Sequence, residues 1–431
     1  MNYLKISEMM RIILLLTAIL ISGINVSAGT TQKRAGQVLN EVWNEISRRH
    51  FNKNFKEKHQ KLYKKFEPVI LKCRDDIELA KEINKLLQAL KQSHIVLMPP
   101  VGSSFSRAMS SIRQNASSQK RKASQPDLPA DTGITLSQSN KQICISRVRK
   151  KSPAAKAGIK MGDVILAINK IPLHPEKKSY IGWPLIARAL LAGQPESEVV
   201  IKILNTENIK RTVTLSRQIN GEKWFKFGLL PRSYSDFYAT ILPGNVGYIQ
   251  FSAFTTPMLF RFREVIIGKL RNIKALIIDM RGNVGGMLMY PPWLAAWCCP
   301  ETVSFGKLII KGTTLQPKSA PQNKCFKGPV AILIDNYSYS CAEVFPAGMQ
   351  DAKKARLFGT TTSGKCLPSM FLKLSCGFRL QTVTGSIVRA NGQGIEGVGV
   401  MPDEEVILSI KSLHNGQDNV IEAARNYLLK Q

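Results

Sequence analysis

The sequence predicts a multidomain α/β protein, on three observations. First, the apolar runs Val246–Phe251, Ala275–Asp279 and Ala331–Ile334 have strand length and alternate with helical stretches at 257–271 and 344–352. That alternation is the signature of βαβ units and a mainly parallel sheet. Second, residues 31–97 place Leu39, Val42, Trp43 and Ile46, and again Ile77, Ala80, Ile83, Leu86, Leu87 and Leu90, at helical spacing. Third, residues 133–217 carry their own helix start and glycine turns, as a separately folded unit would. A chain of 431 residues is long enough for two or three such cores.

The N-terminus reads as a secretory signal over residues 1–28. Lys5 and Arg11 flank an apolar run, Ile12–Ile21, and Val26-Ser27-Ala28 precedes Gly29 like a cleavage site. The run is short for a membrane span, which needs about 20 residues. The reading is therefore an exported, most simply periplasmic protein with no integral membrane segment after cleavage. The formal net charge of +31 favours contact with polyanions. Lysine and arginine are spread along the whole chain, with no zinc finger, basic heptad or single-strand-binding motif beside them, so specific nucleic-acid binding is not expected. The eight cysteines contain no C-x-x-C pair; an oxidising compartment would permit disulfides, but the pairing cannot be read from spacing. His50, His59, His174 and His414 lack metal-ligand spacing, so neither metal nor organic cofactor is expected.

In chain order, 29–100 is a helical N-terminal region. The segment 101–131, rich in serine, Gln-Lys-Arg runs and proline, reads as a linker that cannot bury a core. In the unit 132–217, Ser152 and Pro153 start a short helix, Gly158 ends it, and Gly162-Asp163 turns into the strand Val164–Ile168. This block with the preceding Gly133-Ile134-Thr135-Leu136 resembles a PDZ domain. The resemblance implies that Gly133, Ile134, Thr135 and Leu136 present backbone amides to a chain terminus, which then adds as a strand. The α/β core spans 218–412. Within it, Asp279-Met280-Arg281-Gly282-Asn283-Val284-Gly285-Gly286 is a glycine turn after a strand, with Asp279 and Arg281 placed to brace it. A C-terminal helix closes the chain over 413–431.

The stretch 331–365 organises the rest. A strand, Ala331–Ile334, is followed by Ser338-Tyr339-Ser340-Cys341-Ala342-Glu343 and a helix, then by Gly364-Lys365 after a further apolar patch. A serine at a strand-to-helix turn, with a lysine returning from the next strand, is the layout of a nucleophile with an amine base. Taken alone, Ser340 reads as an ordinary N-cap and Lys365 as a surface lysine. Together with Gln350-Asp351, the glycine turn and the closing Gly397-Val398-Gly399-Val400-Met401-Pro402-Asp403, the stretch resembles the carboxyl-terminal processing peptidases, or tail-specific proteases.

That resemblance implies a secreted serine endopeptidase with an α/β protease core. A PDZ domain would recognise the accessible C-termini of protein or peptide substrates. Ser340 would be the nucleophile and Lys365 the general base, with an oxyanion hole from the amides of Gly286 and Cys341. Cys341 stands where the family has a small residue and reads as a filler. A rival arrangement resembles the tricorn core protease: Ser93-His94 and Glu396 would supply a histidine base. Ser369 stands where the tail-specific family usually has a glutamine that positions the lysine. The Ser/Lys arrangement is favoured over the Ser-His-Glu one, and a catalytically weak PDZ-bearing binding protein is the alternative of another class. Oligomeric state and natural substrate are not legible.

Overall fold

The computed structural model describes residues 32–100, 128–139, 142–173, 183–226, 229 and 234–431. The signal at 1–28 and most of the linker expected over 101–131 lie outside these residues. Among the described residues no helix is long and apolar enough to cross a membrane.

The core is a six-stranded sheet in the order Phe237–Leu242, Val246–Phe251, Ala275–Asp279, Val330–Ile334, Arg356–Gly359, Glu404–Glu405. The first pair is antiparallel and every later neighbour is parallel. Strands Ala275–Asp279 and Val330–Ile334 are buried at every position. This is why they read as unbroken apolar runs: a parallel sheet is covered on both faces. One face is covered by the helices Thr256–Ile267, Tyr290–Cys298 and Cys341–Asp351, through Phe262, Leu294 and Phe345. The other face carries the C-terminal helix Asn419–Leu428, through Val420, Ala424 and Leu428. The loops leaving the carboxyl ends of these two neighbouring strands, 280–286 and 335–340, therefore lie side by side. Open α/β sheets commonly place their sites at this edge.

Three helices, Gln32–Arg49, Phe55–Ile70 and Asp76–Ala89, form the lead-in. Asp75 caps the third, accepting from the amides of Ile77 and Glu78 at 2.8 and 2.9 Å. The expectation of helix to residue 97 is corrected at its end. Val96–Met98 is a strand, antiparallel to Arg379–Gln381. The chain breaks at His94, whose φ is 58°, and the β-branched Ile95 and Val96 then suit the sheet edge better than a helix. Leu86, Leu87 and Trp43 pack in one cluster with Leu367, Phe378 and Leu380. The N-terminal helices are thus seated on the hairpin that follows Lys365, and His94 is carried to the same edge as Ser340.

The inserted unit is a six-stranded sheet: Ile134–Ser139, Gln142–Val148, Val164–Ile168, Glu198–Leu204 and Lys210–Ser216 in that order, with the short strand Ile171–Pro172 also paired to Val164–Ile168 and Ile134–Ser139 at the edge. Ser152 caps the helix Pro153–Lys156 by accepting from the Ala155 amide. Ala130–Asp131, inside the stretch expected as linker, pairs with Gln218–Ile219 and ties the two ends of the unit together.

Under the sheet edge lies a buried ion cluster. Arg281 donates to Asp279 (2.7 Å) and to Asp418 (2.9 Å), and all three side chains are almost fully buried. Tyr248 donates its hydroxyl to Asp279 at 2.7 Å. Asp418 also caps the C-terminal helix at the amides of Val420 and Ile421. Removing one member of such a cluster leaves a charge buried and underpaired. Asp418→Ala is therefore expected to lower unfolding free energy by about 3 kcal/mol, read as a drop in urea midpoint at unchanged slope.

Candidate active site

Ser340 sits between the strand Val330–Ile334 and the helix Cys341–Asp351, at φ 55° and ψ −116°. An L-residue reaches this backbone region only when its surroundings hold it there. The holding group is Glu343, one turn into the helix and fully buried. Its Oε2 accepts from the amides of Ser340 (3.0 Å) and Lys365 (2.9 Å). Its Oε1 accepts from the Gly364 amide and the Thr362 hydroxyl, both at 2.7 Å. Burial pushes this carboxyl up to about 7, against the pull of the four donors. Three of those donors are amides that can only donate, so the ionised form is the one the site is shaped to hold. Ser340 N–H also reaches the Lys365 carbonyl at 3.0 Å. The two residues of the expected dyad are therefore joined through their backbones.

The glycine turn is pinned against the same serine. The Asn283 side chain donates to the Phe251 carbonyl and accepts from the Gly285 amide, while the Asn283 carbonyl accepts from the Tyr339 amide. Asp335 accepts from the Gly282 and Tyr337 amides. Gly285, at φ 78°, leaves no room for a side chain: a Cβ there would stand 2.8 Å from Ser340 Cβ and 3.1 Å from the Cys341 amide nitrogen. Gly286 faces Phe254 and accepts a 3.3 Å hydrogen bond from the Cys341 thiol at its carbonyl. Burial pushes the Cys341 thiol up to about 12, so it stays protonated and is no nucleophile.

The rival set is also assembled. Glu396 accepts from the Ser93 amide (2.8 Å), the Ser93 hydroxyl (2.9 Å) and the Cys366 amide (2.8 Å). The Ser93 hydroxyl lies 2.8 Å from His94 Nδ1. A carboxylate only accepts, so the single Ser93 proton goes to Glu396 and Nδ1 must carry the proton it shares with Ser93. That leaves His94 Nε2 with its lone pair free to take a proton. His94 is half-buried. Burial, reinforced by the Lys365 charge, pushes His94 down to about 4. Lys365 Nζ lies 5.2 Å from the centroid of the Tyr339 ring. Ser369, which stands at the position of the family's supporting glutamine, accepts from Gln381 Nε2 at 2.9 Å.

At the inserted unit, Gly133 does not offer its amide freely: it donates to Asp131 Oδ1 at 2.7 Å. Ile134, Thr135 and Leu136 line a small open pocket that is shared with Ala187, Arg188, Phe251 and Gly282. The groove beside this edge strand thus opens onto the glycine turn. Among the described residues no cluster of His, Cys, Asp and Glu is placed to hold a metal ion, and all eight cysteines are free. The sequence reading gives Glu343 no role in the site and does not single out Thr362. The serine-to-glutamate spacing of a capping box was the one available signal for Glu343.

Residues 245–406 match the model of peptidase family S41, and residues 144–205 match a PDZ domain model. A probable CtpA-like serine protease of Staphylococcus haemolyticus is 24% identical over 277 residues, covering 64% of this chain and 52% of that protein. A Staphylococcus epidermidis protein of the same description is 24% identical over 288 residues, with the same coverage. The chain spans about half the length of the curated relatives it matches. Among solved structures, the photosystem II D1 C-terminal processing protease is similar in fold, with TM-score 0.52 at 18% identity, covering 88% of this chain and 97% of that one. Mature CPAF gives TM-score 0.52 at 15% identity over 92% and 96% of the two chains. The tricorn protease gives 0.52 at 16% identity, over 93% of this chain and 37% of that one.

The depressed histidine has a thermodynamic consequence. A group whose folded value lies below its unfolded one stabilises the fold above the unfolded value, and that stabilisation is lost as pH falls through the folded value. Between about pH 6.5 and pH 4, His94 should therefore cost the native state on the order of 2–3 kcal/mol. His94→Gln should be less acid-sensitive than the unmodified chain by that amount, measured by urea unfolding at both pH values.

Proposed function

From a chain that carries a peptidase family S41 domain over residues 245–406 and a PDZ domain over residues 144–205, we propose a serine endopeptidase that cleaves proteins presenting accessible C-termini. Ser340 is the nucleophile in this reading. Its strained turn is fixed by Glu343, which accepts from the Ser340 amide. The amides of Cys341 and Gly286 receive the developing oxyanion, and such donors are worth a few kcal/mol each.

The observation that carries the reading is the linked set Glu396–Ser93–His94, tied through the Cys366 amide to the loop whose Lys365 carbonyl accepts from the Ser340 amide. It supplies an acceptor nitrogen in the right tautomer, held by a third group, as nucleophile activation requires. His94 takes the Ser340 proton as the hydroxyl attacks the scissile carbonyl and returns it to the leaving amine. Its low value keeps it neutral through the mildly acidic range. The weight thus moves from Lys365, favoured on sequence, to His94. Lys365 as base remains the second reading, because its backbone is bonded to that of Ser340. The groove between the edge strand Ile134–Ser139 and the helix Trp183–Leu191 is where a substrate tail would add as a strand. The N-terminal sequence supports export of the enzyme.

Cleavage of an unfolded test protein separates these readings. Ser340→Ala and His94→Ala should each lower kcat/KM by about 10³-fold or more, as loss of a nucleophile or its base does, while Lys365→Ala retains measurable turnover between pH 5 and 7. If Lys365→Ala matches Ser340→Ala and His94→Ala does not, lysine is the base. If the intact chain cleaves nothing, the binding-protein alternative stands. Gly285→Ala, which crowds the Cys341 amide, should cost about 10²-fold in kcat with little change in KM.

A further inference from the structure

We propose that Tyr339 is a positioning residue that holds the Lys365 side chain as an ammonium ion beside His94, so that Lys365 serves as a fixed positive charge and not as a proton acceptor. The inference rests on the serine endopeptidase reading and adds to it the role of two residues on either side of the nucleophile.

A small residue at position 339 could make no such contact. This chain has tyrosine. Lys365 Nζ lies 5.2 Å from the ring centroid, inside the roughly 6 Å over which a ring face attracts a cation. That attraction acts on the charged amine and not on the neutral one, so it opposes the deprotonation a base would need. The ring does not turn freely. It meets Tyr337 edge-on, with centroids 6.2 Å apart and planes at 88°. Tyr337 is itself buried in the apolar cluster of the inserted unit, with Leu190 and Leu191. The Tyr339 amide is bonded to the Asn283 carbonyl. One end of the lysine is equally fixed, since its amide donates to Glu343 and its carbonyl accepts from Ser340.

Acting on His94 are Ser93 on its own segment, Glu396 through Ser93, and the charge of Lys365 from the loop after the strand Arg356–Gly359. Facing Lys365 are Tyr339, His94 and, at its backbone, Glu343; Cys366 follows it, bonded through its amide to Glu396. Of these, Lys365 is the one cation set against the His94 ring. A fixed cation there adds to burial in keeping the imidazole neutral, and hence able to accept a proton, at pH values where a free histidine is largely protonated.

The test is the titration of His94 itself, which needs no turnover. The chain has five histidines. With 13C-labelled histidine and His94→Gln to assign the resonance, the His94 titration is followed by NMR in the full chain on a Ser340→Ala background. The expected midpoint lies well below the ordinary value near 6.5. Lys365→Met should raise it toward that value. Tyr339→Leu should raise it part of the way, and Tyr339→Phe, which keeps the ring face, should leave it in place. A midpoint unmoved by Lys365→Met overturns the proposal, as does a shift on Tyr339→Phe as large as on Tyr339→Leu. Circular dichroism of each variant identifies any that fails to fold. Should Lys365→Met misfold, Lys365→Gln carries the same comparison. A correct titration in a chain that cleaves nothing would uphold this placement and sink the peptidase reading. Cleavage with an unresponsive midpoint would do the reverse.

Discussion

The buried carboxylate of Glu343 is the interaction on which the site depends. Its two oxygens collect Ser340, Thr362, Gly364 and Lys365, binding the Ser340 turn to a loop about twenty residues further on. Thr362 in turn accepts from the Val400 amide, and Gly364 accepts from the Gly397 amide. The loop bearing Glu396 is therefore fastened to the same point. Through Ser93, Glu396 draws in the N-terminal helices and His94. One ion thus coordinates segments from three distant parts of the chain. Burying a charge costs several kcal/mol unless donors replace its water; here four donors do so, and the strain at Ser340 is held by the same bonds.

The architecture explains why these segments meet. Parallel neighbours Ala275–Asp279 and Val330–Ile334 release their chains at the same edge. The glycine turn leaves one and the serine turn leaves the other. The Arg281 ion cluster anchors the first loop from beneath, and Asp335 bonds the loops to each other. The inserted unit reaches the same place: Tyr337, two residues after Asp335, is buried in its apolar cluster, and its groove is shared with Gly282. Anything that shifts the groove shares side chains with the nucleophile turn.

Much of the fold was legible because it rests on local pattern. Strands buried on both faces read as unbroken apolar runs, and Ser152, Pro153 and Gly158 mark a short helix by their own conformational preferences. The strand Val96–Met98 was not legible, because its partner lies at Arg379–Gln381 and no local period announces so distant a pairing. Within the candidate site, Ser340, Lys365, Ser93, His94 and Glu396 are singled out by their surrounding motifs. The hydrogen-bond order Glu396–Ser93–His94 is not, since it depends on which atoms meet in space. Glu343 illustrates the same limit: a glutamate three residues into a helix resembles any capping partner until its other three donors arrive from the loop 362–365.

The central claim is that Ser340 is an activated nucleophile held by Glu343. Its most direct test is covalent: reaction of the intact chain with a fluorophosphonate, with the adduct located by peptide mass. The account predicts one adduct, on Ser340, formed much more slowly in a folded Glu343→Gln variant, whose amide nitrogen must face backbone donors. An intact, folded chain that gains no adduct on Ser340, or a Glu343→Gln variant that reacts at the unmodified rate, would contradict it.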